Sequence, residues 1–223
     1  MNRFDNIDCL VGMAEYEDNH FDLAIVDPPY GIGIVEAINK STVVGTSSMF
    51  YQTKGGNGSN FDTATPEKEY FDELFRVSKN QIIWGGNYFI EHLHNTKCFL
   101  IWDKMNGTNP MADAELAWSS FDSRVRIFRM HHFSQGYGDK IHPTQKPTKL
   151  YKWILDLFAK EGDLILDTHV GSASSLIACE DMGFNYVGFE IDKDYYDAAQ
   201  KRLKQFRSQL KIDFKEVCKE CRE

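Results

Sequence analysis

Asp27-Pro28-Pro29-Tyr30 is the stretch whose residue types could do chemistry, and it ends the apolar run Leu23-Ala24-Ile25-Val26. A short apolar run bounded by proline predicts a buried strand that stops abruptly. Pro28 and Pro29 donate no backbone hydrogen bond, and their fixed φ stiffens the chain. Asp27 and Tyr30 are therefore expected on a rigid loop at a strand's carboxyl end. An acceptor-only carboxylate, bare proline carbonyls and an aromatic ring suit a planar ligand that donates N–H bonds. A nucleobase amino group is such a ligand. The same four residues also fit a proline-rich turn with a capping aspartate, and taken alone they leave both readings open.

A second constellation lies about 140 residues downstream. Leu164-Ile165-Leu166-Asp167-Thr168-His169-Val170-Gly171-Ser172-Ala173-Ser174 reads as an apolar strand, a loop of small residues and the start of a helix. Such a loop lets backbone approach a ligand closely, with a helix amino terminus facing it. Glu190 follows Gly171 by 19 residues at the end of the next strand, the interval at which a βαβ nucleotide site binds ribose hydroxyls. A dinucleotide site would want G-x-G-x-x-G, but Ala173 and Leu176 stand where the second and third glycines belong. That pattern disfavours a pyrophosphate cradle. It leaves open a ligand with ribose and adenine but no phosphate, such as S-adenosylmethionine, as well as a plain packed strand–turn–helix.

These loops need a scaffold, and the rest of the chain supplies one. A short helix is expected from Asp8 to about Tyr16, and another from Thr65-Pro66-Glu67, with a capping hydroxyl and proline in the first turn. Strands are expected at Gln81–Trp84, Cys98–Trp102, Ala114–Trp118 and Val125–Met130, the last two as antiparallel neighbours. Thr148 is expected to cap a helix ended by Gly162, with the stripe Leu150, Trp153, Ile154, Leu157 and Phe158. Beyond the strand at Asp163–Asp167, a helix over Ser174–Met182 closes at Gly183. A strand over Tyr186–Ile191 and a long helix from Asp194 follow. Strands alternating with helices predict an α/β fold, a mostly parallel sheet covered on both faces.

Length bounds the chain to one domain, 1–223, with a proper core. Residues 36–62 are rich in Ser, Thr, Gly and Asn, and read either as a mobile lid or as an inert insertion. Residues 212–223 are a charged tail expected to fray. No basic-then-apolar leader or long apolar run appears, so a cytoplasmic protein with no membrane partner is expected. Five cysteines in 223 residues make no disulfide framework, and Cys218-x-x-Cys221 lacks a second pair for zinc. His131, His132 and His142 have no spaced carboxylate or cysteine beside them, so no metal is expected.

The net charge of −8 argues weakly against a nucleic-acid partner, but from Trp118 to Lys152 seven basic residues face only Asp122 and Asp139. A basic face on an acidic protein is compatible with that distribution, as is a solvated surface.

Taken together, the segments resemble the amino-type DNA methyltransferases, in the β class that places D-P-P-Y before the cofactor loop. Asp8-Cys9 matches the family's G-D-C, although Ile7 stands where glycine is usual. Ile83-Trp84-Gly85-Gly86-Asn87-Tyr88-Phe89 and Glu115-Leu116-Ala117-Trp118 look like family motifs, and His142-Pro143-Thr144-Gln145-Lys146-Pro147 is close to the cofactor segment. The loop at Asp167–Ser174 departs from the family's D-P-F-x-G-S-G-T, with His169 in place of a cofactor-lining aromatic and Ala173 in place of a glycine.

The resemblance implies a Rossmann-like, S-adenosylmethionine-dependent methyltransferase with permuted motif order, acting on N6 of a flipped adenine in DNA. N4 of cytosine, RNA, or a non-catalytic nucleic-acid-binding subunit are the alternatives. It implies catalytic roles for Asp27, Pro28, Pro29 and Tyr30. It also implies cofactor contacts from Asp8, Cys9, Asp27, Lys146, Pro147, Asp167, His169, Gly171, Ser172 and Glu190. Lys40, Lys54, Arg124, Arg126, Arg129 and Lys140 are the candidates for phosphate contact. Residues 103–141 leave little room for target recognition, which fits a short site, low specificity or a homodimer partner.

Overall fold

A computed structural model describes residues 2–33, 62–106, 112–131, 141–142 and 144–209. Most of the expected lid, Lys40, Lys54, Lys140, His132, Pro143, Cys218, Cys221 and the charged tail lie outside the described residues.

Among the described residues, eight strands form one sheet: β1 (Arg3–Asp5), β2 (Leu23–Val26), β3 (Gln81–Trp84), β4 (Phe99–Asp103), β5 (Ala114–Ser119), β6 (Arg126–Arg129), β7 (Leu164–Asp167) and β8 (Asn185–Phe189). The helices are α1 (Cys9–Met13), α2 (Lys68–Val77), α3 (Thr148–Phe158), α4 (Ser174–Met182) and α5 (Lys193–Ser208). The sheet order is β1-β8-β7-β2-β3-β5-β4-β6. All neighbouring pairs are parallel except those made by β5, which runs antiparallel to both β3 and β4.

β2 and β3 are buried along their whole length, which is why they read as continuous apolar runs rather than alternating ones. Successive side chains go to opposite faces. Leu23, Ile25, Ile82, Trp84 and Ile165 pack with residues of α3, α4 and α5. Ala24, Val26, Ile83 and Leu166 pack on the other face, with Met13 of α1 and Tyr70, Phe71, Leu74 and Val77 of α2. α4 has Ser174–Cys179 all buried, so it needs small residues more than a stripe. The fold expectation holds: an open, mostly parallel sheet with helices on both faces.

Several local expectations are corrected. The strands at 114–119 and 126–129 are not neighbours; β4 lies between them, antiparallel to β5 and parallel to β6. The helix expected at Thr65-Pro66 starts at Lys68, with Glu67 in extended conformation as its cap residue and no side-chain cap bond. Thr148 is the first helical residue rather than the cap, because Pro147 takes that place at φ −64 and ψ 133. The same helix ends at Phe158, and Gly162, at φ +91, makes the turn into β7 instead. Gly183 does close α4 in the left-handed conformation, φ +81.

Candidate active site

The strands β1, β8, β7, β2 and β3 are parallel, so their carboxyl ends share one edge. From β7 the chain steps outward to β8, while from β2 it steps the opposite way to β3. The crevice between β7 and β2 is therefore the switch point where ligands bind in open α/β sheets. The Asp27 loop leaves β2 there, and the Asp167 loop leaves β7 beside it.

The Asp27 loop is fixed from several sides. Tyr30 Oη donates to Asp27 Oδ1 at 2.6 Å. The Tyr30 ring stacks on Tyr88, with centroids 5.0 Å apart and planes 14° apart, and meets Phe89 edge-on. Gly85 allows this approach: it sits at φ +71, and a β-carbon there would come within 2.2 Å of the Tyr30 ring. Asp62, buried, accepts from the Tyr30 and Gly31 backbone N–H groups at 2.8 Å each. Its carbonyl accepts from Gly33.

Asp62 was not legible in the sequence, since nothing about a lone aspartate marks contact with a loop some thirty residues earlier. Its removal by Asp62→Ala would leave two N–H groups unpaired, a cost of about 1–3 kcal/mol, read as a lower denaturation midpoint at unchanged m-value. Asp62→Asn, which keeps the acceptor oxygen, should recover most of that loss.

Lys146 lies in the segment before α3, with its side chain only 2% exposed. Its ammonium donates to Asp27 Oδ2 and to Tyr30 Oη at 3.1 Å, and lies 3.0 Å from Glu115 Oε2. Lys104 pairs with Glu115 Oε1 at 2.6 Å. Burial pushes the Asp27 carboxyl above its usual range, and Lys146 offsets only part of that push. Burial alone would lower the Lys146 ammonium, but the Asp27 and Glu115 carboxylates raise it overall. The cluster thus holds a charged lysine against a carboxylate that binds protons more readily than a free one.

On the other side of the crevice, the Asp167 loop is built from its own hydrogen bonds. Asp167, 2% exposed, accepts from His169 N at 3.0 Å and from the Ser175 hydroxyl. Burial raises its carboxyl to about 7. Glu190 accepts from Gly171 N at 2.8 Å and Asp192 N at 2.9 Å, tying this loop to the end of β8. Ser172 faces inward onto Ser174 at 3.1 Å. Ala173 sits at φ +62, where glycine would be relaxed, but its methyl is buried in the core and that packing offsets strain.

His169 Nδ1 lies 2.9 Å from Thr168 Oγ1, which meets the Tyr70 hydroxyl at 2.7 Å. Nε2 lies 4.0 Å from Cys9 Sγ. Asp8 caps α1, accepting from Leu10 N and Val11 N, so the Asp8-Cys9 turn stands against the Asp167 loop. His142 meets the Tyr195 ring at a 59° tilt, centroids 4.3 Å apart, and lies beside Gly171. The structure thus brings Asp8, Cys9, Asp27, Tyr30, Lys146, Asp167, His169, Gly171, Ser172 and Glu190 to one edge of the sheet. Tyr70, Tyr88, Asp62 and Glu115 join them.

Burial lowers His169 to about 4 from its usual 6.5. A depressed histidine stabilises the fold above its unfolded value, and that contribution is lost as pH falls from about 6.5 through about 4. His169→Phe removes this dependence. Its stability relative to wild type should improve on lowering the pH across that window, by up to about 3 kcal/mol, measured by urea unfolding at a series of pH values. A constant difference across the window would contradict the buried, neutral His169.

The three phosphate-contact candidates among the described residues, Arg124, Arg126 and Arg129, lie away from the crevice. Arg126 and Arg129 lie on β6, the outermost strand, four strands from β2, or about 19 Å. Arg124 just precedes it and is exposed. Arg129 pairs with Asp103 at 3.4 Å. Among the described residues no helix is long and apolar enough to cross a membrane.

Known proteins resemble this chain in sequence and in fold. Residues 91–201 match the family described as DNA methylase, N6_N4_Mtase. The type II methyltransferase M.HpaI of Haemophilus parainfluenzae is 24% identical over 86% of this chain and 70% of its own length. The structure of M1.HpyAVI with SAM superposes with a TM-score of 0.60 at 18% identity, covering 91% of this chain and all of that one. The PvuII DNA methyltransferase, described as cytosine-N4-specific, gives 0.57 at 12% identity over 99% and 91%. The chain is thus similar in sequence to amino-type DNA methyltransferases, and the solved structures share its fold.

Proposed function

We propose that this chain transfers a methyl group from S-adenosylmethionine to the exocyclic N6 amine of an adenine in DNA. The observation that carries the reading is the adjacency of two loops, from parallel neighbours β2 and β7, at the switch point of the sheet. One holds an acceptor carboxylate on a proline-stiffened turn; the other is a cradle of small residues beside Glu190.

The residues of the second loop fit such a cofactor. Gly171 takes the left-handed turn, φ +52, that glycine adopts without strain, and the His142 ring lies 3.7 Å from a β-carbon built on it. The Glu190 carboxylate, already oriented by two backbone donors, retains lone pairs for ribose hydroxyls. Neutral His169 offers a flat ring without repelling a cationic sulfonium. Asp8 and Cys9 would lie near the adenine, Asp167 and Ser172 behind the methionine portion, and Pro147 at the wall beneath. When bound, the sulfonium supplies an electrophilic methyl.

On the substrate side, the exocyclic amine is a poor nucleophile because its lone pair is delocalised into the ring. Asp27 Oδ and the Pro28 carbonyl would each accept one amino N–H bond, turning the nitrogen towards tetrahedral geometry. Their preorganised negative ends stabilise positive charge developing on nitrogen. The bound cofactor would supply the methyl group and be left as the neutral sulfide, and the Asp27 carboxylate would take the proton that the amine sheds. Placing two bound reactants in line contributes much of the remainder. A base in a duplex must be flipped to reach this loop, where the Tyr30 and Tyr88 pair and Pro29 offer flat surfaces. The β6 arginines are proposed to meet phosphates, and a homodimer would extend so short a recognition region.

Transfer of labelled methyl to duplex DNA, followed by nucleoside analysis, tests this. N6-methyladenine is the expected product. Label in N4-methylcytosine would move the target base while keeping the chemistry, and label in RNA alone would overturn the substrate.

A further inference from the structure

Glu115 is not among the residues expected to hold either reactant, yet the fold delivers it to the reacting edge. β5 is antiparallel to β3, so its first residues, not its last, lie at the carboxyl edge of the parallel strands. Register places Glu115 opposite Trp102, near the end of β4, and Lys104 follows immediately. Lys146 arrives from the segment before α3 and closes the gap to Asp27. The result is an alternating row, Lys104–Glu115–Lys146–Asp27, linked by contacts of 2.6 and 3.0 Å and by the short Lys146–Asp27 bond. All four side chains are less than a quarter exposed.

We propose that Glu115 is a positioning residue for methyl transfer, acting through Lys146 to set the orientation and net charge at the Asp27 carboxylate. This rests on the methyltransferase reading above. The physical need is specific. A bare ammonium against Asp27 would orient it but would also oppose the positive charge developing on the substrate amine. Glu115 neutralises Lys146 from behind, and Lys104 in turn balances Glu115, so the row as a whole is neutral. Lys146 can then hold Asp27 at one oxygen while Tyr30 holds the other, at little electrostatic cost to the transition state. The cation–π contacts of Lys146 with Tyr30 and Trp84, at 5.5 and 5.3 Å, fix the ammonium laterally.

Other charged and titratable groups face Asp27 from the elements around it: Tyr30 on its own loop, Tyr70 of α2, Tyr151 of α3 and Asp167 of β7. The tyrosines are all held neutral well above their usual range by burial. Asp167, whose own carboxyl is raised, lies across the crevice and is common to every variant below.

The test follows the Asp27 carboxyl by carbon-13 NMR of carboxyl-labelled protein, assigned by difference from Asp27→Asn, alongside the pH profile of kcat on duplex DNA. Glu115→Gln removes a negative charge and should lower the Asp27 titration by about one pH unit, with the acid limb of kcat following it and the plateau falling roughly tenfold. Lys146→Gln should move both in the opposite direction, upward. Lys104→Gln, furthest out, should move them upward by less, and carries the test should either inner variant not fold. Opposite shifts from Glu115 and Lys146 establish the row. Shifts of one sign, or lower rates with the titration unmoved, would overturn it, since a merely structural loss moves no titration. A wild-type protein that transfers no methyl group would remove the functional reading, and the NMR titration would still decide whether the row sets the Asp27 charge.

Discussion

Asp27→Ala is expected to abolish methyl transfer, by at least about a thousandfold in kcat, while leaving S-adenosylmethionine binding little changed. The carboxylate acts on the amine, not on the methyl donor, so its loss should appear in the chemical step. Calorimetry with the cofactor separates the two. If binding is lost together with rate, Asp27 is holding the cofactor loop rather than the amine. The stability effect should be modest. Removing one partner of a buried pair usually costs about 3–5 kcal/mol because the other charge is stranded, but here Lys146 keeps Glu115 at 3.0 Å. Asp27→Asn is the sharper variant. Its amide places N–H donors where the mechanism needs an acceptor, and it should be nearly as inactive as Asp27→Ala despite equal volume. An active Asp27→Asn would remove the carboxylate from the mechanism.

The parts of this site that the sequence made legible are those that local chemistry dictates. Two prolines after an apolar run stop a strand wherever they occur, and Gly171 and Glu190 are related by the length of one βα unit. Those features located both loops, while their meeting was implied only by the family resemblance. Glu115 could not be found in that way. Its place depends on one antiparallel strand inserted between β3 and β4, a pairing set by distant residues such as Trp84 against Ala117 and Ile101 against Leu116. The expectation that β5 and β6 were neighbours failed for the same reason, since β4 was free to take the place between them.

Lys146 was legible as a site residue through its motif, but not as the partner of Asp27, 119 residues earlier. Two helix starts lie one or two residues from where the sequence places them: Pro66 falls ahead of the helix rather than at its first position, and Pro147 rather than Thr148 is the cap residue, both places where a fixed φ is at home.

Gly85→Ala is the substitution expected to damage both stability and rate without replacing a charged or hydrogen-bonding side chain. Two costs add. A left-handed backbone at φ +71 disfavours any β-carbon, by about 1–2 kcal/mol. The methyl must also occupy space held by the Tyr30 ring, 2.2 Å away, and overpacking of that kind costs about 1–3 kcal/mol. Together these should lower Tm by about 5–15 °C for a chain of this size.

The rate effect follows from what Tyr30 holds. Displacing its ring breaks the 2.6 Å bond to Asp27 and the stack on Tyr88, and a misplacement of about 1 Å can cost roughly a hundredfold in rate. Gly162→Ala separates the two costs. It too has positive φ, +91, but a β-carbon there meets nothing within 4 Å, so it should lose stability by the backbone cost alone and keep full activity. Equal damage from both variants would show that backbone strain, and not the seating of Tyr30, is what Gly85 provides.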